Sequence, residues 1–174
     1  MGKFVYVAYN GLTLREDLIH RADGVADPAT GELLMDVLRV PAGTEQAATL
    51  TTEFEQGAFY QYDRRLEYSM AIGCDGRDWH DVLAAMVGFD RNAGAEPTDG
   101  PFQEILHPRH AFTVHGPNAA KKLLADFDAC EEKAKTFSDP EFYLAYWWLR
   151  CCFGHVAQNG AVQMLRQMPQ ALAA

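Results

Sequence analysis

Three histidines pose the first chemical question. His107, His110 and His115 stand close together, with Arg109 among them. Imidazole is the commonest metal ligand, and three of them can hold zinc while leaving a fourth position open to water. A small metal-dependent hydrolase using His107, His110 and His115 is therefore one reading. Ordinary loop or surface imidazoles are the other, because the spacing matches no ligand signature. His110 and His115 lie an odd number of positions apart, so a regular strand would turn them to opposite sides. A two-histidine phosphodiesterase is excluded: it needs His-x-Thr or His-x-Ser twice, and His110 is followed by Ala111-Phe112.

A second candidate is Cys74-Asp75-Gly76-Arg77-Asp78-Trp79-His80. A thiol just ahead of a helix N-terminus is acidified by the helix dipole, and His80 would act as its base only if the loop folded back. The alternative is a half-buried loop cysteine. The other cysteines, Cys130, Cys151 and Cys152, fall in apolar helical stripes, and no CxxC spacing occurs. Neighbouring cysteines on a helix point about 100° apart and bridge poorly, so reduced core thiols of a cytoplasmic protein are expected.

Aromatic residues form the third group: Tyr143, Tyr146, Trp147 and Trp148, with Tyr60, Tyr62 and Tyr68. At helical spacing such residues usually build a core. Trp and Tyr are also enriched at binding hot spots, so Trp148 and Tyr143 are read as the accessible part of a binding patch. Of the adjacent tryptophans, one is expected to pack inward. Neither GxGxxG nor GxxxxGK[ST] is present, which removes the common phosphate loops. No pair of carboxylates stands out, and no cofactor is expected.

Charge narrows the partners. The net charge is -9, and residues 1–87 hold fourteen acids against seven bases. Phosphate contacts need clustered Lys and Arg, so nucleic acid is not an expected partner. A basic protein surface is. Glu16, Asp17 and Asp23, near predicted turns with Asp27, Glu53 and Glu55, are the acids expected to meet it, with plain solvation as the alternative. No apolar run approaches the ~18 residues of a membrane span, and the N-terminus lacks a signal peptide's apolar region.

The elements that must position these groups fit one domain of 174 residues. Residues 1–72 read as strands with a short helix over Leu12 to Ala22. Residues 73–115 read as a helix with Trp79, Val82, Leu83 and Met86 inward and Asp75 as its cap, then a loop, then short strands at Pro101 to Leu106 and Ala111 to His115. Residues 116–165 read as two antiparallel helices and a closing strand. Gly116-Pro117 opens the first helix, with Pro where its missing N–H costs nothing. Ser138 with Glu141 has the pattern of a capping box for the second. That helix is apolar nearly all round, and Trp147 and Phe153 are both read as core. Asn159-Gly160 is read as its left-handed stop. The fold class is α+β: a mainly antiparallel sheet packed against the helical pair.

From about Leu66 to Val162 the order of features resembles a loose group of small uncharacterised bacterial and phage-borne proteins. The stretches that carry the likeness are Trp79-His80-Asp81-Val82-Leu83, Gly100-Pro101-Phe102-Gln103-Glu104-Ile105-Leu106, Lys122-Leu123-Leu124-Ala125-Asp126-Phe127 and Ala157-Gln158-Asn159-Gly160-Ala161-Val162. The resemblance implies an order of elements and assigns no residue a role. The expected function is a non-enzymatic protein-interaction module of bacterial or phage origin, such as an immunity protein, an inhibitor or an anti-defence factor. The metal-dependent hydrolase is the alternative.

Overall fold

The computed structural model describes residues 3–41, 53–70, 77–94, 99–107 and 114–167. The chain is organised around β1 (Lys3–Asn10), whose β-branched and aromatic residues favour an extended chain. β1 pairs antiparallel with β7 (Arg64–Met70) on one side and β9 (Gly160–Gln167) on the other. β9 also pairs with β8 (Val114–His115), which makes the order β7-β1-β9-β8. Side chains alternate across a strand, so Tyr6 and Ala8 enter a large core on one face while Val5, Val7 and Tyr9 enter a smaller one on the other.

The smaller core is closed by Leu38, Leu12, Phe54 and Tyr62. Leu38 belongs to a second sheet of order β2-β6-β5, made of β2 (Thr13–Arg15), β6 (Phe59–Gln61) and β5 (Val37–Arg39). A two-stranded ribbon, β3 (Ile19–Arg21) with β4 (Gly24–Ala26), extends from it. The large core lies beneath the helices: α1 (Trp79–Val87), the short α2 (Gln103–Leu106), α3 (Pro117–Phe137) and α4 (Pro140–Val156). α4 runs over β1, β7 and β9, and α3 lies beside it over β8 and β9. The α+β architecture with antiparallel sheets and two long C-terminal helices is thus as the hydrophobic pattern indicates.

Several local expectations are corrected. Leu12 to Ala22 is not a helix. Its Thr13 and Glu16 have a capping spacing, but Leu14 pairs with Tyr60 and Ile19 with Ala26, and sheet pairing overrides the local propensity. Pro101 to Leu106 is not a strand either. Phe102 takes the left-handed conformation, φ 57°, and Asp126 accepts its N–H at 2.9 Å, which turns the chain into α2. The cap of α4 is Asp139, whose carboxylate accepts from Phe142 N at 2.8 Å, rather than Ser138. Asp78 caps α1; Asp75 and Cys74 lie outside the described residues. Gly160 is no left-handed stop but the first residue of β9, where any Cβ would collide with the carbonyl oxygen of Tyr9. It is a site of close strand approach.

Candidate functional site

α4 has two apolar sides. Phe142, Tyr146, Leu149, Cys152, Phe153 and Val156 point into the core and are buried. Leu144, Trp147 and Trp148 sit at i, i+3 and i+4 on another face, the spacing of one helical stripe. They are 56%, 45% and 48% exposed. Both tryptophans therefore face outward, and the expectation that one of them, Trp147 in particular, belongs to the core is overturned. α3 and the sheet already occupy the inward side, and the Phe153 face fills it. Other exposed large apolar residues, such as Leu14, Met35 and Leu165, sit on separate strands or turns. Among the described residues only α4 gathers three.

The neighbouring groups are ordered. Trp147 and Trp148 meet edge to face at 5.5 Å. Trp148 leans on Tyr68 of β7, ring centroids 6.3 Å apart, and the Tyr68 hydroxyl bonds His155 Nδ1 at 2.8 Å. Burial, with Cys152 and Cys151 next, raises the Tyr68 pKa, so the hydroxyl keeps its proton. The aromatic flank of the helix layer thus continues onto β7, which is the end strand of its sheet. Leu66 and Tyr68 lie on the helix side of that strand. Arg65 and Glu67 lie on the other, ion-paired at 2.5 Å, with Arg65 also bonded to the Tyr9 hydroxyl.

The remaining sequence candidates lie elsewhere. Tyr143 faces α3: its hydroxyl donates to Glu131 at 2.9 Å and its ring stacks on Tyr146. Glu16, Asp17 and Asp23 are exposed on the β2–β3 and β3–β4 links, on the side of the small sheet. Arg15 interleaves with these acids, gripping Asp17 through two hydrogen bonds at 2.8 and 3.1 Å and lying 3.6 Å from Asp27. The Arg15 hydrogen bonds hold the Asp17 carboxyl below its ordinary range. Glu53, counted among the surface acids, instead accepts from Asn118 N at 2.6 Å and Ala119 N at 3.2 Å, capping α3.

His107 and His115 are both buried, one against the Phe89 ring and the other against Phe153. His110 lies outside the described residues. Among the described residues no three His, Cys, Asp or Glu side chains come together as a metal site. A groove of about 500 Å³ is lined by His20, Arg21, Arg39 and Phe59, but among the described residues no buried polar group converges on it.

One polar chain was not legible in the sequence. The Tyr6 hydroxyl lies 2.6 Å from His80 Nε2, and His80 Nδ1 lies 3.0 Å from Asp78 Oδ1. The ionised Asp78 accepts from Nδ1–H, which leaves Nε2 to accept from Tyr6. Burial pushes the Asp78 carboxyl up, but hydrogen bonds and charge from His80, with Arg91 behind, outweigh it and leave the pKa lowered. Burial raises the Tyr6 hydroxyl well above its usual value. The order Asp–His–hydroxyl is that of a nucleophile relay. Tyr6 and His80 are sealed, however, at 0% and 1% exposure, so no substrate reaches them. The chain instead ties α1 to β1.

No family model, curated protein or solved structure matches the chain. No helix among the described residues is long and apolar enough to cross a membrane.

Proposed function

We propose that the protein is a non-enzymatic interaction module that holds a protein partner with the outer flank of α4 and the adjoining part of β7. The observation that carries this reading is the exposed stripe Leu144, Trp147 and Trp148. Leaving large aromatic rings in water is costly at ~25 cal/mol per Å² of apolar surface, and clustered exposed apolar residues mark contact sites. The surroundings are built for recognition. Trp148 is steadied by Tyr68, and Arg150, paired with Asp128 at 2.7 Å, supplies a polar rim. A role that works by occupying a partner, as an immunity protein, an inhibitor or an anti-defence factor of a bacterium or phage does, needs only such a face. A basic partner would be drawn by the net charge of -9.

The test is capture of a partner from lysate by immobilised protein at near-physiological salt. Wild type is expected to retain a partner that W147S/W148S loses and that E16K/D17K/D23K keeps. Loss in the second variant with retention in the first would place the contact on the acidic side and end this reading.

A further inference from the structure

We infer that the groove on the small-sheet side binds a small organic anion, its phosphate or carboxylate held by Arg21 and Arg39 and its apolar part laid against Phe59. The site stands apart from the α4 flank and does not depend on the partner reading. The groove runs between two elements. Phe59 of β6 and Val37 and Arg39 of β5 line one side, and His20, Arg21 and Val25 of the β3–β4 ribbon line the other. Its volume, about 500 Å³, falls in the range of small-molecule sites, roughly 300–1,000 Å³. No Asp or Glu lines it.

Two arginines flank the Phe59 ring and differ in what they meet. Phe59 pairs with Arg15 of β2 on one side and with Arg39 of β5 on the other. Residues directly opposite in a ladder share a face of the sheet. Arg15 is neutralised: it bonds Asp17 at 2.8 Å, lies 3.6 Å from Asp27 and donates to Gln61. Arg39 meets no acid. Its guanidinium carbon lies 5.8 Å from the centroid of the Phe59 ring, and His20 meets the same ring edge to face at 5.3 Å. Arg21 is bare as well. Its Nη2 rests 3.7 Å from where a Cβ on Gly31 would stand, against the turn that Gly31 closes. Among the described residues neither Arg21 nor Arg39 has an ion-pair partner, and Asp23, two positions from Arg21, is no exception.

The chain carries a net charge of -9, so acids to pair with are plentiful. Two exposed guanidiniums left unpaired on one groove therefore make a local excess of positive charge. An aromatic ring and a glycine turn hold them in place without cancelling that charge. Forks placed in advance lose less freedom when they close on an oxyanion. A guanidinium fits phosphate and carboxylate alike, with two parallel hydrogen bonds. The other lining side chains are mostly apolar, which favours an anion with an apolar body over a bare ion. A long polyanion needs a continuous basic track. The exposed acids Glu16, Asp17 and Asp23 on the adjoining links break one here.

Titration with phenyl phosphate and with benzoate, followed by the ring-proton NMR shifts of His20 and Phe59, tests this. Expected are saturable shifts of both rings with at least one probe, at millimolar concentration and weakening with salt. The tighter probe identifies the head group, and neutral benzyl alcohol should shift neither ring. R21Q and R39Q should each weaken the tighter probe about tenfold. K121Q removes the same charge from the exposed side of α3 and should bind as wild type does. Both arginines are exposed, so the two variants should melt with wild type, and circular dichroism separates lost binding from lost fold. Rings unmoved by either probe overturn the inference. So do R21Q and R39Q proteins that bind like wild type, an equal loss in K121Q, or equal binding of benzyl alcohol.

Discussion

The two apolar sides of α4 are alike in composition and opposite in circumstance. Phe142, Tyr146, Leu149 and Phe153 are at most 1% exposed, whereas Leu144, Trp147 and Trp148 are about half exposed. Phe153 touches Tyr6, Phe127 and His115 in the core. Trp147 has its neighbour Trp148 as a ring contact and solvent beyond. Hydrophobicity along a helix therefore states what each side avoids, not whether the same chain covers it. The side covered from within should govern stability, and the side left bare should govern association.

Substitution is the sharpest way to break this contrast. Phe153→Ala should lower stability by about 3–5 kcal/mol, the range for emptying a packed aromatic site. Trp147→Ala, measured by urea midpoint in dilute protein, should cost less than about 1 kcal/mol. Equal losses at the two positions would erase the distinction.

Next in size is the buried polar chain beneath the covered side. Tyr6→Phe takes from His80 Nε2 the hydroxyl 2.6 Å away. Removing one partner of a buried hydrogen bond costs about 1–3 kcal/mol, again read from denaturant midpoints. A Tyr6→Phe protein as stable as wild type would show that the bond adds nothing.

Asp78 makes the same chain pH-dependent. Its carboxyl has a lower pKa folded than unfolded, so its contribution is fully present above the unfolded value, about 3.9. It is lost as pH falls through the folded value. Asp78→Asn keeps an oxygen able to cap α1 but carries no charge. Its unfolding free energy should fall less than wild type's between about pH 5 and pH 3. Parallel acid limbs in the two proteins would remove Asp78 from the pH response.

Much of the frame was legible. Gly116-Pro117 marked the start of α3, and Asp27 does lie at a turn, with Gly31 beyond it at φ 73°. What failed did so where distant chain decides. Leu14 is a strand residue because Tyr60 lies across from it, and Gly160 is glycine because Tyr9 passes close by. The Tyr6–His80 bond joins residues 74 positions apart, and no local pattern announces it. The bare flank left a signal that was there to read: Leu144, Trp147 and Trp148 form their own i, i+3, i+4 stripe, separate from the stripe through Phe142, Tyr146 and Phe153.

The smallest expected effect is on the acidic side. E16K/D17K/D23K should leave the melting temperature nearly unchanged, because exposed substitutions usually stay within about 0.5 kcal/mol. A large drop in melting temperature would mean that the Arg15–Asp17 pairing supports the small sheet more than exposed ion pairs do.

Hydroxyl-radical footprinting with and without the partner captured from lysate tests the bare flank most directly. Met35, 87% exposed on the side of the small sheet, is the internal reference. When the captured partner is added, oxidation of Trp147 and Trp148 should fall while that of Met35 stays constant. Constant oxidation of both tryptophans, or protection of Met35 in their place, would contradict association through α4 and β7.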